Sequence, residues 1–168
     1  LKGSAEGARE LWQAFKDVTI EFLMGEIGQV LRGGTFPNIQ HTITVAPGAG
    51  KVSCDSNQLH QVLLNLLVNA RDAMPGGGRI DVTAQNVRVM DGEFVRIDIK
   101  DTGTGIPEQN LPRIFEPFWT SKAGKGTGMG LAIVKRIVES HHGTVTVETG
   151  AGGTTFTICL PALTTPAP

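Results

Sequence analysis

Four short stretches hold residues whose types and spacing suit chemistry. In "NLLVNARDAM", Asn65 and Asn69 stand four apart, so on a helix they share a face. They border apolar positions, where an unpaired amide costs free energy. Amide oxygens are neutral ligands that suit Mg²⁺, which keeps several waters and takes its other ligands from substrate phosphates. Asp101 opens "DTGTGI", with Gly103 and Gly105 behind it. A carboxylate there can accept a hydrogen bond from an exocyclic amine, and the glycines let backbone approach a flat ring. In "FEPFWTSK", Phe115, Phe118 and Trp119 are apolar anchors next to Lys122, a point charge that suits a terminal phosphate. "GKGTGMG" sets Gly126, Gly128 and Gly130 where backbone N–H groups can cradle phosphates at a helix start. It is neither a Walker A loop nor a dinucleotide-binding turn, because the G-x-x-x-x-G-K-[ST] order and the strand directly before it are both missing. Taken singly, these stretches also fit two helix-edge amides, a polar turn and a pinned surface loop.

Ala5 to Phe15 has a helical pattern with Leu11, Trp12 and Phe15 on one side. "DVTIEF" is a strand leading into a helix that ends near "RGG". "HTITVA" and "KVSC" read as strands. Asp55 to Met74 changes to a helical period, with Leu59, Val62, Leu63, Leu66, Leu67, Ala70 and Ala73 on one apolar face. Asp55 or Ser56 caps it and "PGGG" stops it. "RIDVTAQ" and "VRIDIK" alternate as strands, and a helix runs from about Gly128 to Gly143. "TVTVET" and "TTFTICL" alternate around "GAGG". Half-wet strands point to an antiparallel or mixed sheet. Helices on its other face make a two-layer α/β sandwich.

Composition narrows the partners. The chain has 168 residues, the size of one domain. A net charge of -1 gives no basic field to attract nucleic acid or an anionic membrane. Cys54 and Cys159 fit no metal spacing and read as buried or half-buried thiols of a reducing compartment. No apolar run approaches the roughly 20 residues of a membrane span.

The order and spacing of the four stretches together resemble the ATP-binding domain shared by sensor histidine kinases, gyrase-type topoisomerases, ninety-kilodalton heat-shock chaperones and mismatch-repair ATPases. The resemblance covers about Asp17 to Pro161. The histidine kinase branch is the nearest, in its nitrogen-regulator type. "QLHQVLLNLLVNARDAMPGGG" resembles its asparagine box and "DTGTGIP" its first glycine box. "FEPFWTSK" resembles its phenylalanine box and "GTGMGLAIV" its second glycine box.

The resemblance implies a Bergerat-type fold, with a mostly antiparallel mixed sheet and helices on one face. It implies ATP and Mg²⁺ as cofactors and transfer of the γ-phosphate to a histidine. Asn69 would coordinate Mg²⁺, with Asn65 and Asp72 near the ion or the phosphates. Asp101 would take the adenine amino group, with Thr154 joined to it through water and Gly103, Gly105 and Ile106 lining the base. Phe118, Thr120, Ser121 and Lys122 would border the nucleotide. Gly126, Thr127, Gly128, Met129, Gly130 and Leu131 would complete the phosphate side. Asn65 and Lys122 are the residues it implies in catalysis. Pro117 to Thr127 would form a lid that wraps the nucleotide, pinned at its base by the aromatics.

Two departures qualify that picture. ATP-hydrolysing relatives place a glutamate where this chain has Asn65, and an amide is no base. That favours phosphotransfer over an ATP-driven conformational gate or a nucleotide-sensing pseudo-enzyme. None of His41, His60, His141 and His142 has phosphoacceptor context, and all four read as structural. By the same resemblance, residues 1–16 are the end of an upstream dimerisation hairpin that carries the acceptor. Residues 17–161 are the catalytic domain and 162–168 a frayed tail. Partners would be that hairpin domain and a response regulator, with no nucleic acid and no membrane insertion by this chain. The location would be cytoplasmic, in a soluble sensor or the cytoplasmic part of an anchored one.

Overall fold

A computed structural model describes residues 5–7, 17–121 and 126–163. Of the helix expected over Ala5–Phe15, only 5–7 are described, and they are helical. Residues 122–125, including Lys122, lie outside the described residues.

β1 (Asp17–Thr19) runs directly into α1 (Ile20–Arg32), whose first turn is capped by the Thr19 hydroxyl accepting from Phe22 N–H at 3.3 Å. β2 (Ile39–Val45) and β3 (Lys51–Ser53) follow, then α2 (Ser56–Asp72). Asp55 caps α2 by accepting from Asn57 and Gln58 N–H at 2.9 and 3.3 Å. β4 (Gly78–Val89) and β5 (Gly92–Asp101) form a hairpin. A 3₁₀ turn (Glu108–Arg113), α3 (Gly130–Ser140) and the hairpin of β6 (Thr144–Gly150) and β7 (Gly153–Pro161) complete the chain.

Five strands make one sheet in the order β2-β4-β5-β7-β6. All its pairs are antiparallel except β2 with β4. β1 and β3 pair separately. Ala162 and Leu163, assigned by sequence to the frayed tail, are instead tied in. Ala162 N–H donates to Glu93 O at 2.9 Å and Leu163 N–H to Lys51 O at 2.8 Å. The ordered chain thus extends beyond Pro161.

Alternation decides which sheet face is buried. Ile80, Val82 and Ala84 of β4, Val95, Ile97 and Ile99 of β5, and Phe156, Ile158 and Leu160 of β7 all point inward. Leu23, Ile27 and Leu31 of α1, Leu59, Leu63 and Leu66 of α2, and Val134 and Ile137 of α3 join them in one core. Each of these side chains larger than alanine contributes about 1.5–3 kcal/mol of burial. The outer face is polar: Thr157 donates its hydroxyl to Asp98, and Arg96 Nε donates to the same carboxylate at 2.9 Å. The expected two-layer sandwich is the fold found.

Three inward rows change character at the same end of the sheet. Val95, Ile97 and Ile99 are followed by Asp101. Leu160, Ile158 and Phe156 lead back to Thr154. Val145 and Val147 lead to Thr149. Asp101 and Thr154 are 3% and 4% exposed, and they are the buried polar residues of the described chain.

Candidate nucleotide site

The polar end of the inner face is held from two sides. Asp101 Oδ1 accepts Gly103 N–H at 2.8 Å and Thr154 N–H at 3.3 Å. The carboxylate thus joins the loop after β5 to the start of β7 directly through backbone. Burial pushes its pKa up, and the two N–H bonds oppose that shift. At Gly153 the two strands come so close that a Cβ would lie 1.9 Å from Asp101 O, and its φ of +128° also demands glycine.

Thr149 Oγ1 makes a second join between the same elements. It accepts Ile106 N–H at 2.8 Å and lies 2.9 Å from Thr154 Oγ1. Thr149 was not among the residues singled out from sequence. Its signal was parity: it sits where the apolar row Val145, Val147 predicts another apolar residue.

The C-terminal end of α2 meets the same loop. Ala73 O accepts Thr104 N–H at 3.3 Å, and a Cβ on Gly103 would lie 2.7 Å from Ala73 Cβ. Asn69 is one turn before Ala73 and half-buried. Asn65, a turn earlier, donates from Nδ2 to Gly130 O at 3.3 Å and so ties α2 to the first residue of α3. Asp72 is exposed and paired with Arg71 at 3.3 Å. α3 starts at Gly130 with Met129 as its N-cap and no side-chain cap. Its first N–H groups therefore lack the side-chain acceptor that usually satisfies them. Leu131 is half-buried against the core.

The phenylalanine-box stretch divides. Phe115 packs edge-on against Phe156 with ring centroids 6.5 Å apart, and Trp119 packs against the core under Arg113. Phe118 does not anchor as expected: its side chain is 77% exposed and its φ is +67°. The cause is the crossing of the two loop ends. Phe118 N–H donates to Gly128 O at 3.0 Å, and a Cβ on Gly128 would lie 2.4 Å from Phe118 C. That contact turns the Phe118 ring outward. Within the crossing, a Cβ on Gly126 would lie 3.3 Å from Thr120 Oγ1, and Thr127 Oγ1 accepts Met129 N–H at 3.3 Å.

An open cleft of about 790 Å³ runs beside the loop after β5. Gly105, Ile106 and Ser121 line it, as do Thr149 and Ala151 across from them. Asn65, Asn69 and Asp101 do not line it. Asp101, Gly103 and Thr154 thus meet at one corner and Asn65 and Gly130 at a second, with the cleft opening from the loop that borders the first.

His60 Nδ1 is 3.6 Å from Glu26, and His141 Nδ1 donates to Ile137 O at 2.8 Å at the end of α3. Cys54 is buried, which pushes its thiol up to about 11, and Cys159 is half-buried. Among the described residues no group of three His, Cys, Asp or Glu side chains could hold a metal, and no helix is long and apolar enough to cross a membrane.

This architecture is that of histidine kinase catalytic domains. The nucleotide-free catalytic domain of histidine kinase ThkA superposes with a TM-score of 0.77 at 29% identity, over 88% of this chain and 95% of that one. Full-length ShkA in complex with AMPPNP superposes with a TM-score of 0.76 at 31% identity, over 90% of this chain and 32% of that one. Sporulation kinase E of Bacillus subtilis (strain 168) is 34% identical over 96% of this chain, which spans 25% of that relative's length. Residues 54–164 match the model of the histidine kinase-, DNA gyrase B-, and HSP90-like ATPases, and the chain belongs to that family.

Proposed function

We propose that this chain binds Mg–ATP at the polar end of its inner face and donates the γ-phosphate to a histidine on a separate dimerisation domain. The observation that carries the reading is Asp101. It is a buried carboxylate whose two hydrogen bonds both land on Oδ1, which leaves Oδ2 to accept the adenine amino group. Guanine offers a carbonyl at that position, which a carboxylate repels. Thr154, Gly103, Gly105 and Ile106 shape the base corner. The AMPPNP bound to ShkA supports a triphosphate as the ligand.

The phosphates would take the N–H groups at Gly128 to Leu131, of which Met129 N–H donates to Thr127 Oγ1 and those opening α3 have no side-chain cap, with Lys122 on the terminal phosphate and Thr120 and Ser121 beside it. Asn69 and Asn65 fit Mg²⁺. They stand on one helix face, and Asn65 already donates through Nδ2, which leaves its oxygen as the remaining group. With so few protein ligands, such an ion would be shared with the phosphates. Bound there, it would neutralise charge on them. Asn65 cannot take a proton from water, so transfer to another group is favoured over hydrolysis. Residues 17–163 would be the catalytic unit, with the acceptor hairpin upstream and a response regulator as the next acceptor in a cytoplasmic relay.

The test is phosphorylation in trans. Radiolabelled ATP with this chain alone should leave no acid-labile phosphate on it. Adding a histidine-bearing dimerisation domain should restore label on that histidine. Stoichiometric label on His60, His141 or His142 overturns the reading.

A further inference from the structure

We infer that Thr149 is a positioning residue for the adenine base, acting through the loop of Gly103 to Ile106; this rests on the proposed base corner at Asp101. Two oxygen atoms fasten the same pair of elements. Asp101 Oδ1 bridges Gly103 N–H in the loop and Thr154 N–H in β7. Thr149 Oγ1 bridges Ile106 N–H in the loop and the Thr154 hydroxyl in β7. One clamp sits at each end of the loop that would lie against the ring. Between them, Gly105 has a φ of +77° and comes so close to the β6–β7 turn that a Cβ would meet Gly150 O at 2.3 Å.

The hydroxyl is the active part of this residue. A methyl in its place would leave the Ile106 N–H facing an apolar group and the Thr154 hydroxyl without its 2.9 Å partner. An unpaired group of that kind moves until water satisfies it. The loop would shift outward, and Gly103, which holds Asp101, would move with it. Thr149 and Ile106 both line the cleft, so the change would be felt where the nucleotide lies.

Calorimetry with ATP and inosine triphosphate tests this on the whole chain. Inosine triphosphate has a carbonyl where ATP has the amino group and an N1–H where ATP has a bare nitrogen, so the ratio of the two affinities reads the edge of the base that would face Asp101. The parent should prefer ATP. Thr149→Val should weaken ATP binding about tenfold and reduce the ATP-to-inosine preference. Thr149→Ser, which keeps the hydroxyl, should restore both. A merely structural threonine would lower the unfolding temperature and leave the preference unchanged in the folded fraction. Amide hydrogen exchange on the unliganded parent gives a second readout: Ile106 N–H should be protected. Unchanged preference in Thr149→Val while the parent still selects ATP overturns this inference and leaves the base corner standing. So does an unprotected Ile106 amide, which decides the matter should Thr149→Val not fold. Equal binding of both nucleotides by the parent sinks the base corner itself, and the role of Thr149 with it.

Discussion

β5 and β7 pair along the inner face, and the two ends of that pairing are equally deep with opposite chemistry. Near the β4–β5 turn, Val95 pairs with Leu160, at 0% and 3% exposure. At the far end, Asp101 takes the N–H of Thr154, at 3% and 4%. The first pair lowers the free energy of the fold by leaving water. The second needs two backbone N–H bonds to offset the desolvation of a carboxylate. Equal burial thus marks stability at one end and, in the proposed reading, recognition at the other.

Substitutions at the two ends should separate these roles. Ile97→Ala, in the apolar stretch, should cost about 2–5 kcal/mol of unfolding free energy by denaturant titration. Nucleotide affinity in the folded fraction should stay near that of the parent. Asp101→Ala should do the reverse, weakening ATP binding tenfold or more, about 1–3 kcal/mol, by calorimetry. If Asp101→Ala instead keeps its ATP affinity and loses stability as Ile97→Ala does, the two ends are alike. Away from both, Asp55→Ala should cost about 1 kcal/mol through the lost cap of α2, with no change in nucleotide selectivity.

The smallest effect is one of pH. Burial raises the Asp101 pKa above its unfolded value. The folded state therefore holds this proton more tightly. The stability so gained is complete below the unfolded pKa and lost as pH rises through the folded one. Asp101→Asn carries no such charge. Its advantage over the parent in unfolding free energy should be greatest at neutral pH and shrink on acidification toward about pH 4. An advantage that stays constant with pH would mean the carboxylate titrates as it does in the unfolded chain.

Much of this was legible in the sequence. Period two located the strands of both hairpins, and the Leu59 to Ala70 face located α2. The corner at Asp101 was legible in part: Asp101, Gly103 and Thr154 were singled out and do meet, but Thr154, expected to join Asp101 through water, donates its backbone N–H to it directly. Thr149 was missed because a threonine in "TVTVET" reads as one more polar residue on a β-strand. Only its parity, inward like Val147, sets it apart, and parity matters only once the sheet shows which face is covered. Phe118 was misread because hydrophobicity predicts burial, while the Phe118–Gly128 crossing is a backbone contact between residues ten apart. No local pattern encodes it.

The pairing of β5 with β7 has a consequence for how the protein assembles. β4–β5 and β6–β7 are each local hairpins, but the Asp101–Thr154 contact spans 53 positions of chain. Contacts between distant segments carry a loop-closure cost and form late on the route to the native state. The base corner exists in neither hairpin alone; it appears when they dock. Nucleotide added during refolding should therefore leave the folding rate nearly unchanged and slow unfolding instead, as for any interaction absent from the transition state. Stopped-flow traces with and without ATP would show one arm of the chevron move and the other stay.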